Sequence, residues 1–247
     1  MLELLTGTSV DLAHSAARHG AGLFETIRIR DGAPWRLESH LERLTLGAAF
    51  LGMAPPPPAE RVRAFLAEQT TCASLGCGVL RLVAVDGQLQ VTVAPWAPEE
   101  ASPVLVAISR QGRRFSGSPL NWFKTLSYLE NLLLTREAAR RGLFEVIALN
   151  EAGRLTDGGR TTLFLVLDGE LLTPAAADGA LPGVARRVLL EAGLAREARL
   201  EPGALERAEA ALLTNALRGA LPVHGLEGRA LGPGHPLLAR AAALLEA

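Results

Sequence analysis

Lysine is almost missing from this chain. Of 25 Lys+Arg residues among 247, one is a lysine, Lys124, and the other 24 are arginine. Cysteine is scarce as well: two residues exclude a disulfide scaffold. Aromatic residues make up 4%, with a single Tyr. No apolar run reaches bilayer-spanning length, because Arg and Glu interrupt the Ala/Leu-rich stretches. The opening Met1-Leu-Glu-Leu-Leu carries an acid too early for a signal peptide. Neither charge is in excess. With 25 basic and 26 acidic residues the net charge is −1, so no basic field draws in nucleic acid or an anionic membrane. What is present is ordinary globular composition, 49% hydrophobic and 21% charged, long enough for one large domain or two modest ones. The expectation is a soluble cytoplasmic protein.

The scarcity of lysine is itself a signal. A bias toward arginine accounts for 24 positions and leaves open why position 124 kept an amine. Arginine replaces lysine as a surface charge but stays protonated. A desolvated lysine can lose its proton and attack a carbonyl. Chance survival and a nucleophilic role both fit the count, so the surrounding residues must decide.

The N-terminal part reads as α+β. Gly22 to Arg30 alternates apolar and polar residues, then meets the turn dipeptide Asp31-Gly32 and Ala33 to Leu37, which predicts a hairpin. Ser39 is the expected cap of a helix carrying Leu41, Leu44, Ala48 and Leu51, stopped by Pro55 to Pro58. Ala59 to Gln69 reads as a second helix. Val79 to Val85, Asp86-Gly87 and Gln88 to Ala94 read as a second hairpin, and Val104 to Ser109 as a strand. Residues 111–119 hold Gly112, Gly117, Pro119 and two Arg among small polar residues, the composition of a link. The expected division is a smaller α+β domain over 1–110, a linker over 111–119, and a larger domain over 120–247 carrying Lys124. In that part, helices are expected over Ser127–Arg141, Val184–Glu191 and Pro236–Glu246. Strands are expected over Glu145–Leu149, Thr161–Leu167, Glu170–Thr173 and Ala210–Thr214.

Four segments carry chemistry, each with a plainer alternative. In Leu181-Pro-Gly-Val-Ala-Arg186 a glycine precedes a helix start, and the amides of Val184 and Ala185 stand at the positive end of the helix dipole. That is a phosphate site in outline, or a plain loop-to-helix transition. Arg43 follows His40 by one helical turn and is either aimed at a phosphate or solvated on an amphipathic face. Asp157, on a turn before a buried strand, can pair with a protonated ring nitrogen or bond its own backbone. Thr214-Asn215-Ala216 at a strand end adds amides and a hydroxyl to an anion site, or forms an Asx turn. Together, a unique amine, a helix-start anion site, a ring-nitrogen carboxylate and an aimed arginine are the parts that pyridoxal 5'-phosphate needs.

The order of the motifs goes further. Gly22-Leu-Phe-Glu-Thr-Ile-Arg, His40-Leu-Glu-Arg-Leu, Lys124-Thr-Leu-Ser-Tyr-Leu-Glu-Asn, Gly153-Arg-Leu-Thr-Asp-Gly with Leu163-Phe164, Leu181-Pro-Gly-Val-Ala-Arg-Arg and Leu213-Thr-Asn-Ala-Leu follow one another from about Gly20 to Val223. This series resembles the fold-type IV pyridoxal-phosphate enzymes, the class-IV aminotransferase family. The family holds branched-chain and D-amino-acid aminotransferases and 4-amino-4-deoxychorismate lyases. The resemblance implies a two-domain fold like that of D-amino-acid aminotransferase, a mixture of α+β and α/β, and a homodimer. It implies Lys124 as the Schiff-base lysine, Arg43 and the amides of Val184 and Ala185 on the phosphate, Leu181 against the ring face, and Asn215 and Ala216 in a second phosphate loop. Asp157 stands where the family usually has Glu, so a closer backbone, a bridging water or weaker ring protonation goes with it.

Within the family, Phe24-Glu-Thr-Ile-Arg28 resembles the lyase or D-amino-acid branch, because the branched-chain enzymes tend to have Gly where Thr26 stands. Thr214-Asn-Ala-Leu217 and the short stretch before His19 resemble the lyase. The implied activity is conversion of aminodeoxychorismate to 4-aminobenzoate and pyruvate, a step of folate biosynthesis. An aminotransferase of branched-chain or D-amino acids is the second reading, and a cofactor carrier with decayed catalysis the third. Thr26, Arg28, Arg81 and Arg114 are substrate candidates by position, against the plainer reading of exposed strand or linker arginines. Tyr128, four residues after Lys124, either reaches the cofactor phenolate or packs in the core. Lys124 itself is expected to be buried among Leu120, Trp122, Phe123 and Leu126, which would favour its neutral form. Cys72 and Cys77 are expected as buried thiols, and His14, His19, His224 and His235 show no metal-ligand spacing.

Overall fold

The computed structural model describes residues 1–7, 14–68, 76–85, 87–97 and 102–247. The chain divides into two compact units, Met1–Pro98 with Phe123–Tyr128, and Glu99–Trp122 with Leu129–Ala247.

The first unit contains β1 (Glu3–Thr6), α1 (Ser15–His19), β2 (Leu23–Arg30), β3 (Ala33–Pro34), α2 (Leu37–Phe50), α3 (Ala59–Glu68), β4 (Cys77–Val85) and β5 (Gln88–Pro95). Its sheet has the order β1-β5-β4-β2-β3, antiparallel except for β1 beside β5. The turn from β2 to β3 is Asp31-Gly32, both at positive φ, as a two-residue hairpin requires. The core joins the odd positions of β2 (Leu23, Ile27 and Ile29) to Leu37, Leu41 and Leu44 of α2 and Leu80 and Leu82 of β4. α2 begins at Leu37, ahead of the expected cap Ser39, because Arg36 turns the chain at φ 51° directly out of the hairpin.

The second unit contains β6 (Leu105–Arg114), α4 (Leu129–Arg140), β7 (Glu145–Asn150), β8 (Leu155–Gly158), β9 (Thr162–Leu167), β10 (Glu170–Pro174), α5 (Val184–Glu191), β11 (Ala195–Ala198), α6 (Gly203–Arg207), β12 (Ala210–Asn215), β13 (Gly219–Pro222), β14 (Gly225–Leu226), β15 (Arg229–Ala230) and α7 (Pro236–Glu246). Among the described residues these strands form two five-stranded sheets, β11-β10-β9-β12-β13 and β15-β14-β6-β7-β8, with one apolar core drawn from both. α4 packs on β6 and β7, which run parallel. α5 and α7 pack on the other sheet, at β12 and β13 respectively.

Two expectations about organisation are corrected. The first four residues of the expected linker, 111–114, are strand: β6 pairs with β7 as far as Arg114↔Asn150, and a 3-10 turn follows over Pro119–Trp122. A register shift between Ile108 and Arg113 lets the polar stretch keep pairing. Ser109 ties it down, donating Oγ–H to Glu137 at 2.6 Å and accepting Gly112 N–H at 2.7 Å. The segment carrying Lys124 groups with the first unit rather than with the C-terminal part. Cys77 is exposed, not buried. Cys72, Gln69 at the end of the second expected helix, and Asp86 of the second turn lie outside the described residues.

Candidate active site

The phase of β2 decides what surrounds Lys124. Side chains alternate along a strand, so Leu23, Glu25, Ile27 and Ile29 face the core while Phe24, Thr26 and Arg28 face the other way. Residues 124–126 run antiparallel to the start of β2. Phe24 N–H donates to Lys124 O and Leu126 N–H to Gly22 O, each at 2.8 Å, with Leu23 opposite Thr125. Lys124 therefore stands opposite Phe24 and on its side of the sheet. Its Nζ lies 4.6 Å from the centre of the Phe24 ring, 4.7 Å from that of Tyr128, and 3.0 Å from Tyr128 Oη. The two rings meet edge to face with centroids 4.9 Å apart. An ammonium gains from both ring faces and donates to Tyr128; a neutral amine accepts the phenol O–H in turn. Lys124 is half-buried, and Leu120 and Trp122, expected around it, are exposed.

Other candidates share that face. Arg81 stands opposite Thr26, with its guanidinium carbon 4.7 Å from the centre of the Phe24 ring. Arg28 is buried rather than the exposed strand residue of the plainer reading.

On the core side, Glu25 is a buried carboxylate among leucines and isoleucines. Arg43 donates Nε–H to Oε1 at 2.8 Å and Nη2–H to Oε2 at 2.7 Å, and His40 Nδ1 lies 2.7 Å from Oε2. Burial alone would raise the pKa of Glu25. The Arg43 charge and then His40 overcome that and lower it to about 2. An ionised carboxylate only accepts, so His40 carries its proton on Nδ1, while its buried Nε2 has no hydrogen-bond partner among the described residues. Burial holds the His40 pKa below the imidazole range against the pull of Glu25, with the Arg43 and Lys124 charges adding to the lowering. Arg43 is thus not a solvated surface residue.

In the second unit Asp157 ends up in β8, 5% exposed. Its Oδ1 accepts Arg114 Nε–H at 3.2 Å and its Oδ2 accepts Leu181 N–H at 3.0 Å. Arg114 is no linker residue: it is buried at the end of β6, also donates to Asn131 and to Gly158 O, and has its donors committed there. Behind Asp157, the buried Glu145 accepts Gly159 N–H, Arg160 N–H and Thr161 Oγ–H at 3.0–3.1 Å and pins the following loop. Burial pushes the Glu145 pKa up against those donors.

α5 starts at Val184, as the sequence predicts. Its N-cap Gly183 supplies no side chain, so the first-turn amides of Val184 and Ala185 have no capping group. A Cβ on Gly183 would lie 3.5 Å from Thr162 Oγ1, which puts that hydroxyl on the α5 side of the sheet. Thr214 stands directly opposite Thr162 on β12, and its buried Oγ1 has no hydrogen-bond partner among the described residues. Uncapped amides beside an orphaned hydroxyl are a donor set that suits a phosphate. Asn215 takes the plainer role: Oδ1 accepts the N–H groups of Leu217 and Arg218, and Nδ2 donates to Arg160 O. That leaves the backbone of Asn215 and Ala216 as the anion candidate.

Sequence reasoning missed Glu25 and the orphaned hydroxyl of Thr214. The signal for Glu25 was available, since it occupies a core-phase position of β2 and a carboxylate there demands cationic partners. Nothing local in the sequence marks Thr214 as unsatisfied.

Residues 22–226 match the family described as Amino-transferase class IV. The bifunctional aminodeoxychorismate lyase / D-amino acid transaminase of Mycobacterium tuberculosis is 31% identical over 263 residues, covering 94% of this chain and 90% of that protein. A Legionella pneumophila protein provisionally named a 4-amino-4-deoxychorismate lyase superposes with TM-score 0.88 at 25% identity, covering 99% of this chain and 98% of its own. A hypothetical aminotransferase from Mycobacterium tuberculosis, solved in its PLP-bound form, superposes with TM-score 0.83 at 28% identity, covering 97% of this chain and 93% of its own. With its motifs in family order, its mixed fold and a match over most of its length, this chain belongs to the class-IV aminotransferases, the fold-type IV pyridoxal-phosphate enzymes.

Proposed function

We propose that this protein is a pyridoxal-phosphate-dependent lyase that converts 4-amino-4-deoxychorismate to 4-aminobenzoate and pyruvate, in the cytoplasm, for folate biosynthesis. The observation that carries the reading is the setting of Lys124: the chain's one lysine amine, opposite Phe24 and 3.0 Å from the one tyrosine hydroxyl. Thr26 in Phe24-Glu-Thr-Ile-Arg28 and the run Thr214-Asn-Ala-Leu217 support the lyase branch.

Bound pyridoxal phosphate supplies an aldehyde for an amine and a ring that withdraws electrons. Lys124 would hold the aldehyde through Nζ. Its freed Nζ then takes the proton from the ring carbon bearing the substrate nitrogen and returns it to the methylene carbon of the departing enolpyruvate, giving pyruvate. Tyr128 steadies Nζ in both protonation states. Val184 and Ala185 would offer amides and Thr214 a hydroxyl to the phosphate, with the backbone of Asn215 and Ala216 in the same unit, and the family resemblance adds the guanidinium of Arg43. Leu181 would pack against the ring, and Asp157 would face the ring nitrogen. Arg114 Nε–H and the Leu181 N–H hold the Asp157 carboxylate in place. Arg28 and Arg81 remain for the substrate carboxylates.

An aminotransferase of D-amino or branched-chain acids is the second reading, supported by the two activities named for the Mycobacterium tuberculosis relative and by branched-chain aminotransferases among the other relatives. The deciding experiment offers the purified holoprotein aminodeoxychorismate and, separately, a panel of amino donors. Pyruvate and 4-aminobenzoate forming in equal amounts support the lyase. Conversion of the cofactor to its amine form without pyruvate release supports the transaminase. After borohydride reduction, mass spectrometry is expected to find a cofactor adduct on Lys124. The homodimer belongs to the same reading, supported by the exposed Leu129, Leu132 and Leu133 of α4.

A further inference from the structure

Glu145 has no part in the chemistry above, yet it is a fully buried carboxylate committed to one loop of the second unit. Its Oε1 accepts Gly159 N–H at 3.1 Å, and its Oε2 accepts Arg160 N–H and Thr161 Oγ–H, each at 3.0 Å. Glycine lets the loop lie this close. A Cβ on Gly158 would sit 2.5 Å from the carboxyl carbon of Glu145, and one on Gly159 would sit 2.6 Å from Asn131 O. A buried carboxylate demands donors, and here the loop supplies three of them.

The loop passes this constraint on. Arg160, whose N–H is held by Glu145, accepts Asn215 Nδ2–H on its carbonyl at 3.2 Å. Asn215 Oδ1 in turn accepts Leu217 N–H at 3.1 Å and Arg218 N–H at 2.8 Å, which closes the turn that contains Ala216. One residue beyond Thr161, Thr162 stands opposite Thr214, whose hydroxyl has no partner among the described residues. Glu145 is thus tied to the anion candidates of the second unit by hydrogen bonds on one side and by the chain on the other. We infer that Glu145 is a positioning residue for the phosphate end of the site: it fixes the loop 159–161 and, through Arg160 and Asn215, the backbone of Asn215 and Ala216. The inference rests on the proposed function, because it takes the phosphate as the anion that this backbone meets.

A consequence separates this role from simple support of the fold. A residue that only stabilises the second unit weakens every ligand of the site alike. One that sets the phosphate end weakens pyridoxal 5'-phosphate and spares pyridoxal, which has the same aldehyde and ring but no phosphate.

The measured quantity is the ratio of the dissociation constant for pyridoxal to that for pyridoxal 5'-phosphate, each read by absorbance on the full-length apoprotein. This phosphate increment cancels defects that affect both ligands alike. Glu145→Gln keeps the shape of the side chain, but whichever way the amide turns, an NH2 group meets a loop N–H. It is expected to lower the increment about 5–10-fold, the loss of roughly one charge-assisted hydrogen bond. Asn215→Ala cuts the same chain of contacts at its far end and is expected to lower the increment about as far. The double variant is expected to go no further than the larger single effect, since the two residues act in series. An increment that is unchanged or raised in Glu145→Gln overturns the inference, as does an additive double variant. Should Glu145→Gln not fold by circular dichroism, Thr161→Val keeps the shape of that side chain and removes one donor to the carboxylate. It is expected to lower the increment about threefold while affinity for pyridoxal holds, and an unchanged increment there overturns the inference equally. A wild-type protein that takes up no pyridoxal phosphate sinks the functional reading instead. Uptake with an increment that ignores Glu145 sinks this inference alone.

Discussion

Lys124 and Tyr128 stand four residues apart in sequence, and their contact is a single hydrogen bond flanked by two rings. Removing the amine and removing the phenol should have different consequences. Lys124→Arg keeps the charge over the Phe24 ring and is expected to fold normally, bind no reducible cofactor adduct and lose turnover; unchanged activity defeats the assignment. Tyr128→Phe keeps the edge-to-face ring contact and loses one hydrogen bond of about 1–1.5 kcal/mol, so turnover is expected to fall about tenfold with the adduct intact. Glu25 and His40 weaken the fold in acid, against the buried Glu145, whose raised pKa favours the folded state as pH falls toward 4.5. The folded pKa of Glu25, about 2, lies below its ordinary 4.5, so its stabilisation is complete above pH 4.5 and fades as pH falls toward 2. The folded pKa of His40 is also depressed, so below its ordinary 6.5 the unfolded chain binds a proton that the folded chain resists. Both effects have the same sign. Urea midpoints are expected to decline below about pH 6.5 and more steeply below 4.5; a midpoint constant to pH 3 contradicts this.

At the scale of elements, the lysine segment depends on how closely it can lie against β2. Gly22 makes that approach possible. A Cβ there would sit 2.9 Å from Ala84 O of β4 and 2.7 Å from a methyl of Leu126. Leu126 can rotate away, but the β4 carbonyl cannot. Gly22→Ala is therefore expected to destabilise the protein by about 1–3 kcal/mol and to weaken cofactor uptake by shifting residues 124–126. A melting temperature and cofactor affinity equal to wild type refute the close-approach argument. In the second unit, α5 and its glycine N-cap play the corresponding part: Gly183 N–H bonds Leu181 O at 2.8 Å, and Gly183, at φ −67° and ψ 149°, is extended where the helix starts at Val184.

For the whole molecule, the division into two units places Lys124 and Arg43 in one, and Asp157, Val184, Ala185 and Asn215 in the other. α4 exposes Leu129, Leu132 and Leu133, an apolar stripe that isolated soluble units seldom leave open. If the protein is a homodimer through α4, Leu132→Glu with Leu133→Glu converts it to a monomer of unchanged circular dichroism in sedimentation. A dimer that persists rules out that surface.

The sequence by itself determined the features that depend on neighbours in the chain. α5 and α7 have the boundaries that their apolar spacing and Pro/Gly punctuation predict, and the hairpin turns at Asp31-Gly32. That the chain holds one lysine, Lys124, needed only counting. Which charges pair was another matter. Glu25 with Arg43 spans 18 residues and Arg114 with Asp157 spans 43, and strand phase and register decide each pair. The same limit explains the polar stretch after Ser109, which reads as a linker until β7 is beside it. It also explains why Lys124, placed by local composition in the C-terminal part, joins the first unit through two backbone hydrogen bonds to β2. Local propensity acts over a few residues. Burial forces each carboxylate and guanidinium to find a partner, and only the folded chain determines which one is within reach.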